Sequence, residues 1–413
     1  ILSPAFFVSP EIAGAISLAI AIEQVLISII GFSQQTVVLR YFSSFRRKIA
    51  QLYSASSIIV ISATGVVFIV YVLSLFLPFW IPGVNKNDVL LLIISGLFQG
   101  IFLMHLAWLR GNERVGEYGI FRILYPVIKL PLFIIAMLLF RASIAYPFSI
   151  LLANIALFIA LAVKNRRVFS YFTQSSHFLR NVIRKDVVKQ NIKMGSFLTL
   201  QAGIGVMYSV IDRFILQFFF NPEQVGIYHF AITQGTACIF FLQVLSLAYV
   251  PRIYQGDIYT PETARLLRNF LRIAVASSLI VSVIIYFVVF PLSLNFVNSE
   301  YRELYAGGRM VVALALLATI IDPIRLYGTY KLIFLHRVAV APLITLTAFI
   351  SRAVLGVIFV PRYGISGAAI AILLSVILNG SITVAVANAM AKKAVAKHAD
   401  NGARNAEHSK EIT

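Results

Sequence analysis

Four side chains stand at spacings of four, three and four in one apolar stretch: Tyr118, Arg122, Tyr125 and Lys129. On a helix these positions share one face, so two cations and two phenols would line a single stripe. Ammonium and guanidinium groups between aromatic rings suit an anionic oxygen such as that of a phosphate or carboxylate. Pro126 and Pro131 lie beside the stripe and can bend its helix. Arg122 also stands close enough to the stretch's basic end to snorkel out of it, which would leave Lys129 as the inner cation.

Further charges interrupt other apolar stretches. Asp212 and Arg213 are consecutive and therefore point about 100° apart. Tyr208 and Gln201 fall on the stripe of Asp212, while Ser209 and Gln217 fall on that of Arg213. Either charge could pair with a neighbouring helix or touch a ligand. Asp322 and Arg325 are three apart and can form a structural ion pair. Arg352, with Thr345 and Ala348 on its face, reads as an unpaired cation, and Glu23 is the remaining acid within an apolar stretch. His229, Thr233, Thr236 and Gln243 form an uncharged polar face, and His105 has no acid one turn away, so both histidines read as packed or hydrogen-bonded. No paired carboxylates or nucleotide-binding motif stand in the inner loops and no metal-ligand spacing is present, the six histidines being scattered and Cys238 the lone cysteine. No enzyme activity, cofactor or metal is expected.

The elements that must carry these residues follow from composition. Hydrophobic residues make up 60% of the chain and charged ones 12%, with a mean hydropathy of +0.88. Soluble domains carry about 25% charged residues, whereas lipid solvates no charge. The chain therefore reads as an all-α polytopic membrane protein. Apolar runs of the roughly 20 residues needed to cross a bilayer fall near 11–33, 52–80, 89–109, 118–139, 145–163, 194–220, 225–249, 270–293, 308–334, 339–360 and 365–390. The formal charge of +19 is a topology signal: 27 of the 35 Lys and Arg lie in alternate loops and the C-terminal tail, and five in the opposite loops. That bias predicts a cytoplasmic C-terminus and argues against nucleic acid.

The chain repeats itself. "AFFVSPEIAG" at Ala5 to Gly14 and "QFFFNPEQVG" at Gln217 to Gly226 share Phe-Phe, Pro-Glu and Gly at an offset of 212. Ala19, Ile20 and Arg40 fall on Ala231, Ile232 and Arg252 at the same offset. Each phrase is a good helix start, with Ser9 or Asn221 as cap, Pro at the first position and Glu at the positive end of the dipole. Duplication predicts two six-helix halves in a parallel pseudo-twofold arrangement, 1–163 and 194–390, joined by a basic cytoplasmic linker at 164–193 and followed by a tail at 391–413. Phe178, Leu179, Val182 and Ile183 allow a short interfacial helix in that linker. Symmetry also predicts that Ile1 to Val8 is the end of a first span, largely missing here, so that eleven of twelve spans are complete.

"YSVIDRFILQFFFNPEQVGIYHFA" (Tyr208 to Ala231) resembles the Wzx-type polysaccharide and O-antigen flippases, members of the MATE-like (multidrug/oligosaccharidyl-lipid/polysaccharide) exporter superfamily. The resemblance rests on Asp212-Arg213 before a short turn and on Gly226-Ile227-Tyr228 at the next helix start, with a looser match at "LSP…EIAGAISLA". It implies a MATE-like fold and movement of a polyprenyl-pyrophosphate-linked oligosaccharide, such as an O-antigen unit for lipopolysaccharide, by alternating access. The implied partners are that lipid-linked oligosaccharide, the membrane and other polysaccharide-assembly proteins, with the chain itself a monomer. In this reading Arg213, Lys129, Arg352, Arg122, Tyr125 and Tyr208 bind the substrate. Asp212, Glu23, Asp322 and Arg325 serve ion coupling or structural pairing. A MATE-type multidrug antiporter would prefer acids in its cavity, and a membrane-embedded polymerase would need outer loops longer than Pro291 to Gly307.

Overall fold

Lipid leaves backbone amides no partner but the chain itself, so a sequence this apolar closes its hydrogen bonds within helices. The computed structural model describes residues 9–41, 49–76, 84–140, 142–165, 185–255, 261–334 and 340–411, and every regular element among them is helical. The expected remnant at Ile1 to Val8 and the expected interfacial helix at Phe178 to Ile183 lie outside the described residues. Two compact units emerge, one spanning Phe7–Gly226 and the other Ile227–Thr413.

The first unit contains α1 (Pro10–Ile30), α2 (Gln34–Tyr41), α3 (Ile49–Leu75), α4 (Lys86–Gly111), α5 (Val115–Phe140), α6 (Ala145–Lys164) and α7 (Lys185–Phe219). Helix α4 is its centre, with α1, α2, α3, α5 and α6 packed around it. One apolar cluster joins Ile30, Tyr53, Val60, Ile93 and Met104, and a second joins Phe102, Leu106, Phe121, Leu157 and Leu161. Helix α1 also packs on α7. Lipid, by contrast, receives the outer face of α5, where Ile123, Val127, Leu138 and Leu139 are exposed.

The repeated phrases start helices in the same way. Ser9 Oγ accepts from the Ile12 amide at 3.5 Å, and Asn221 Oδ1 accepts from the Gln224 amide at 3.1 Å. The next amides, Ala13 and Val225, donate to the Ser9 and Asn221 carbonyls at 3.0 and 3.4 Å. Within this unit the two turns also touch one another, backbone to backbone. A Cβ on Gly14 would fall on the Pro222 carbonyl, and a Cβ on Gly226 would fall on the Pro10 carbonyl. Each contact is the other shifted by 212 residues, the signature of a local twofold. Glycine is required at both places because no side chain fits between two crossing backbones.

The second unit contains the remainder of α8 (Pro222–Thr236), then α9 (Ile239–Gln255), α10 (Pro261–Ile284) continued through a π-turn at Ile285–Val289 into α11 (Phe290–Leu294), α12 (Arg302–Ala306), α13 (Arg309–Phe334) and α14 (Ala341–Glu411). Its core gathers Leu242, Leu267, Phe270, Ala274 and Tyr330 where α9, α10 and α13 meet, and α13 packs along α14.

Ten helices among the described residues are long and apolar enough to cross a membrane. The last, Pro342–Ala391, has 50 residues, about 75 Å at ~1.5 Å per residue and more than twice what a bilayer needs. Gly364 breaks it with φ 57° and ψ −134°, a backbone region closed to other residues. Two spans therefore stand where the apolar runs near 339–360 and 365–390 predict them, which makes eleven. Helix α7 begins at Lys185 rather than near 194 because its polar first turns remain helical outside the apolar window, Asn191–Phe219.

Candidate functional site

The cation that the α5 stripe carries deepest meets two residues the stripe does not show, Tyr146 directly and Glu23 through it. Lys129 Nζ donates to the Tyr146 hydroxyl at 3.3 Å and lies 5.0 Å from the Tyr146 ring centroid and 5.7 Å from that of Tyr125. The Tyr146 hydroxyl in turn donates to Glu23 Oε2 in a short hydrogen bond. Helix α1 supplies the acid, α5 the lysine and α6 the bridging phenol. Glu23 and Tyr146 are both buried, while Tyr125 and Lys129 are half-buried. A charge at mid-span costs about 2.5–3.5 kcal/mol on insertion scales, and two aromatic faces return about 0.5–2 kcal/mol each. The Glu23 carboxylate, one phenol away, offsets more of that cost.

Helices α4 and α6 also meet through buried polar groups. Asn154 Nδ2 donates to Ser95 Oγ at 2.8 Å and to Gln99 Oε1 at 3.3 Å. Ser95 and Asn154 are wholly buried, and Gln99 is half-buried. Ser95 and Gln99 sit one turn apart, so α4 presents both to the same neighbours.

Other predicted residues lie in the same unit. Arg122 is exposed and Arg213 half-buried. Asp212 is buried and Tyr208, one turn before it, half-buried, as their shared stripe predicts. Glu23, Tyr125 and Lys129 thus come together, and Arg122, Tyr208, Asp212 and Arg213 belong to the same unit.

The remaining predicted residues lie in the second unit. Arg325 grips Asp322 with two bonds, Nε to Oδ1 at 2.6 Å and Nη2 to Oδ2 at 2.9 Å, which makes them an ion pair along α13. Arg352 is buried at 7% exposure, and it is not without a partner. That corrects the reading of Arg352 as an unpaired cation: an isolated charge would not persist at such burial.

Both histidines are buried. His105 is held through both ring nitrogens, Nδ1 to Tyr53 Oη at 3.2 Å and Nε2 to Asn165 Nδ2 at 3.1 Å. Asn165 Oδ1 accepts from Arg114, which pairs with Glu117, and Lys164 Nζ reaches Glu117 at 3.6 Å. This chain of polar groups ties α3, α4, α5 and α6 together at one end of the unit. His229 is spanned by Thr233, whose hydroxyl bonds its backbone carbonyl at 2.7 Å.

Sequence reasoning did not single out Tyr146, Gln99, Asn154 or Ser95. Gln99 and Asn154 stood out only as amides in otherwise apolar spans, a weak signal that polar groups buried in lipid usually meet one another. Tyr146 follows a loop and carried no signal at all.

The sequence profile described as "Polysaccharide biosynthesis protein" matches residues 4–257. No curated protein matches the chain. Among solved structures, an inward-facing multidrug resistance MATE family transporter of the MOP superfamily superposes with a TM-score of 0.73 at 12% identity, covering 94% of each chain. An outward-facing transporter of that family gives 0.58 at 13% identity over 91% of this chain and 84% of the other. A MOP superfamily transporter from Pyrococcus furiosus, described as having a binding pocket of reverse polarity that suggests a different function, gives 0.51 at 12% identity over 93% and 96%. At such identities the likeness establishes a MATE-like fold.

Proposed function

The chain belongs to the polysaccharide biosynthesis protein family, and on that premise we propose that it is a flippase for a polyprenyl-pyrophosphate-linked oligosaccharide. It works by alternating access, exposing one site first to the cytoplasmic side of the membrane and then to the other. Its place is the bacterial cytoplasmic (inner) membrane, with a cytoplasmic C-terminus, as the 27-to-5 distribution of basic residues supports. It acts as a monomer without a cofactor and makes no covalent change to its cargo, an O-antigen or other surface-polysaccharide unit.

One observation carries the anionic cargo. Lys129 is held between Tyr125 and Tyr146 inside the membrane, and Arg122 and Arg213 belong to the same unit. Lipid does not solvate cations, so such a cluster is kept where it meets a cargo that needs it. Pyrophosphate offers several oxygens to guanidinium and ammonium groups. The sugar head occupies the polar interior, and the polyprenyl tail stays in the bilayer.

A drug antiporter of the same fold is the second reading, favoured by the buried acid Glu23. Both are tested in liposomes carrying the protein, with a lipid-linked oligosaccharide loaded in one leaflet and its arrival in the other followed by lectin access. Protein-dependent arrival, reduced at least tenfold by Lys129→Met or Arg213→Ala, supports the flippase. Absence of arrival together with efflux of a cationic dye replaces it with the antiporter.

A further inference from the structure

We propose that α10 carries a docking stripe for anionic phospholipid, whose headgroup meets Arg265, Arg268 and Arg272 in the leaflet that the basic residues mark as cytoplasmic. The stripe concerns the membrane around the protein and is the same for either cargo considered above.

The three arginines follow one another at spacings of three and four, and the pattern continues through Ala276, Leu279 and Val283. At about 100° per residue all six fall within roughly 60° of one another. All six are exposed. The opposite face of α10 holds Leu267, Phe270 and Ala274, buried in the core of the second unit. One stripe therefore runs along the outside of that unit, cationic in its first turns and apolar beyond them. Leu279 and Val283 are 51% and 49% exposed, which inside a membrane means contact with acyl chains. The arginines stand in line with those two side chains. Arginines that served topology alone could occupy any face of the helix end, whereas these three share the face that meets lipid.

Their depth agrees with this. The span Ala264–Leu294 has 31 residues, about 46 Å at ~1.5 Å per residue against ~30 Å of hydrocarbon. With Leu294 at the outer boundary, about 20 residues reach back to Val275. Arg272 then lies about 4–5 Å beyond the hydrocarbon, inside a headgroup layer of ~5–7 Å. Arg268 and Arg265 stand one and two turns further out, where their charge still acts on an anionic surface across a Debye length of ~8–10 Å.

The protein supplies these cations with no counter-ion. Glu262 stands one turn before Arg265, yet the ion pairs among the described residues are Arg114–Glu117, Lys164–Glu117 and Asp322–Arg325. A guanidinium beside lipid can take two oxygens of a headgroup phosphate. A zwitterionic headgroup cancels its phosphate with its own ammonium, so three cations in a row favour a lipid with net negative charge.

The test uses the full-length protein in non-ionic detergent with phosphatidylglycerol and phosphatidylcholine in equal amounts, and native mass spectrometry counts the lipids retained. Each basic residue at an anionic surface strengthens binding about fivefold. The unaltered protein is expected to prefer phosphatidylglycerol at least about tenfold, and Arg265→Gln, Arg268→Gln and Arg272→Gln together to reduce the preference below about twofold. Arg→Lys at the same three positions keeps the charge and is expected to keep most of the preference. Lys189→Gln with Lys193→Gln removes exposed cations from α7 and is expected to change it little. A preference that survives the glutamine variant, or its absence from the unaltered protein, overturns the proposal. An equal loss in the lysine variant traces the effect to damage in α10, and an equal loss in the α7 variant traces it to overall charge; either result also overturns it.

Discussion

Gly14→Ala puts a methyl group on the Pro222 carbonyl and 3.0 Å from the Gly226 amide nitrogen. The obstructing atoms are backbone in the first turn of another helix, so no rotamer change relieves the overlap and the crossing itself must open. Overpacking of this kind costs about 1–3 kcal/mol, and immovable neighbours put it at the upper end. Alanine returns up to about 1 kcal/mol of helix propensity. The net loss is about 2 kcal/mol, or roughly 4–8 °C in melting temperature for a unit of this size. Gly226→Ala meets the Pro10 carbonyl in the reciprocal way and should lose as much. Because both methyl groups open the same crossing, the double substitution should cost clearly less than the sum. The assay is thermal unfolding of the purified protein in detergent, followed by intrinsic fluorescence. Gly65→Ala and Gly205→Ala are the controls, since a Cβ at either meets nothing within 4 Å, and they should hold or raise the melting temperature. Gly14→Ala melting with the controls would refute the close crossing of the two repeated turns.

Three further outcomes follow from the same geometry. Gly364→Ala should lower the melting temperature through about 1–3 kcal/mol of backbone strain, since φ 57° with ψ −134° excludes a side chain; an unchanged melting curve would mean that the break between the last two spans lies elsewhere. Glu23→Leu should impair transport more than Glu23→Gln, because glutamine still accepts the Tyr146 proton while leucine leaves Tyr146 and Lys129 without their anchor; the liposome assay reads this directly, and equal losses would tie the role of Glu23 to its charge alone. Arg325→Ala and Asp322→Ala should each cost only about 1 kcal/mol of stability, as expected for a partly exposed i,i+3 pair, and should leave lipid-linked oligosaccharide transport near that of the unaltered protein, whereas a tenfold loss would move this pair from structure into the transport site.

Much of the fold was legible because membrane insertion depends on single segments. Each span announces itself by length and apolarity, and the observed Pro10–Ile30, Lys86–Gly111 and Ala145–Lys164 sit within a few residues of their predicted ranges. The caps were legible for the same reason, being bonds within three or four residues. The α5 stripe was only half of a site. Periodicity placed Tyr125 and Lys129 together, but nothing local to α5 says that α1 brings an acid or α6 a phenol to meet them. Arg352 shows the converse: it lacked a charged neighbour in sequence, yet in the fold it is buried and partnered.

The sequence alone determined that this chain lives in a membrane, where its helices begin and that it carries one phrase twice, because hydrocarbon and backbone hydrogen bonds act on each segment by itself. Only the tertiary structure decided why the phrase needs its glycines and which way Tyr146 gives its proton. Those answers depend on which helix faces meet, and facing is set by packing between segments far apart in the chain.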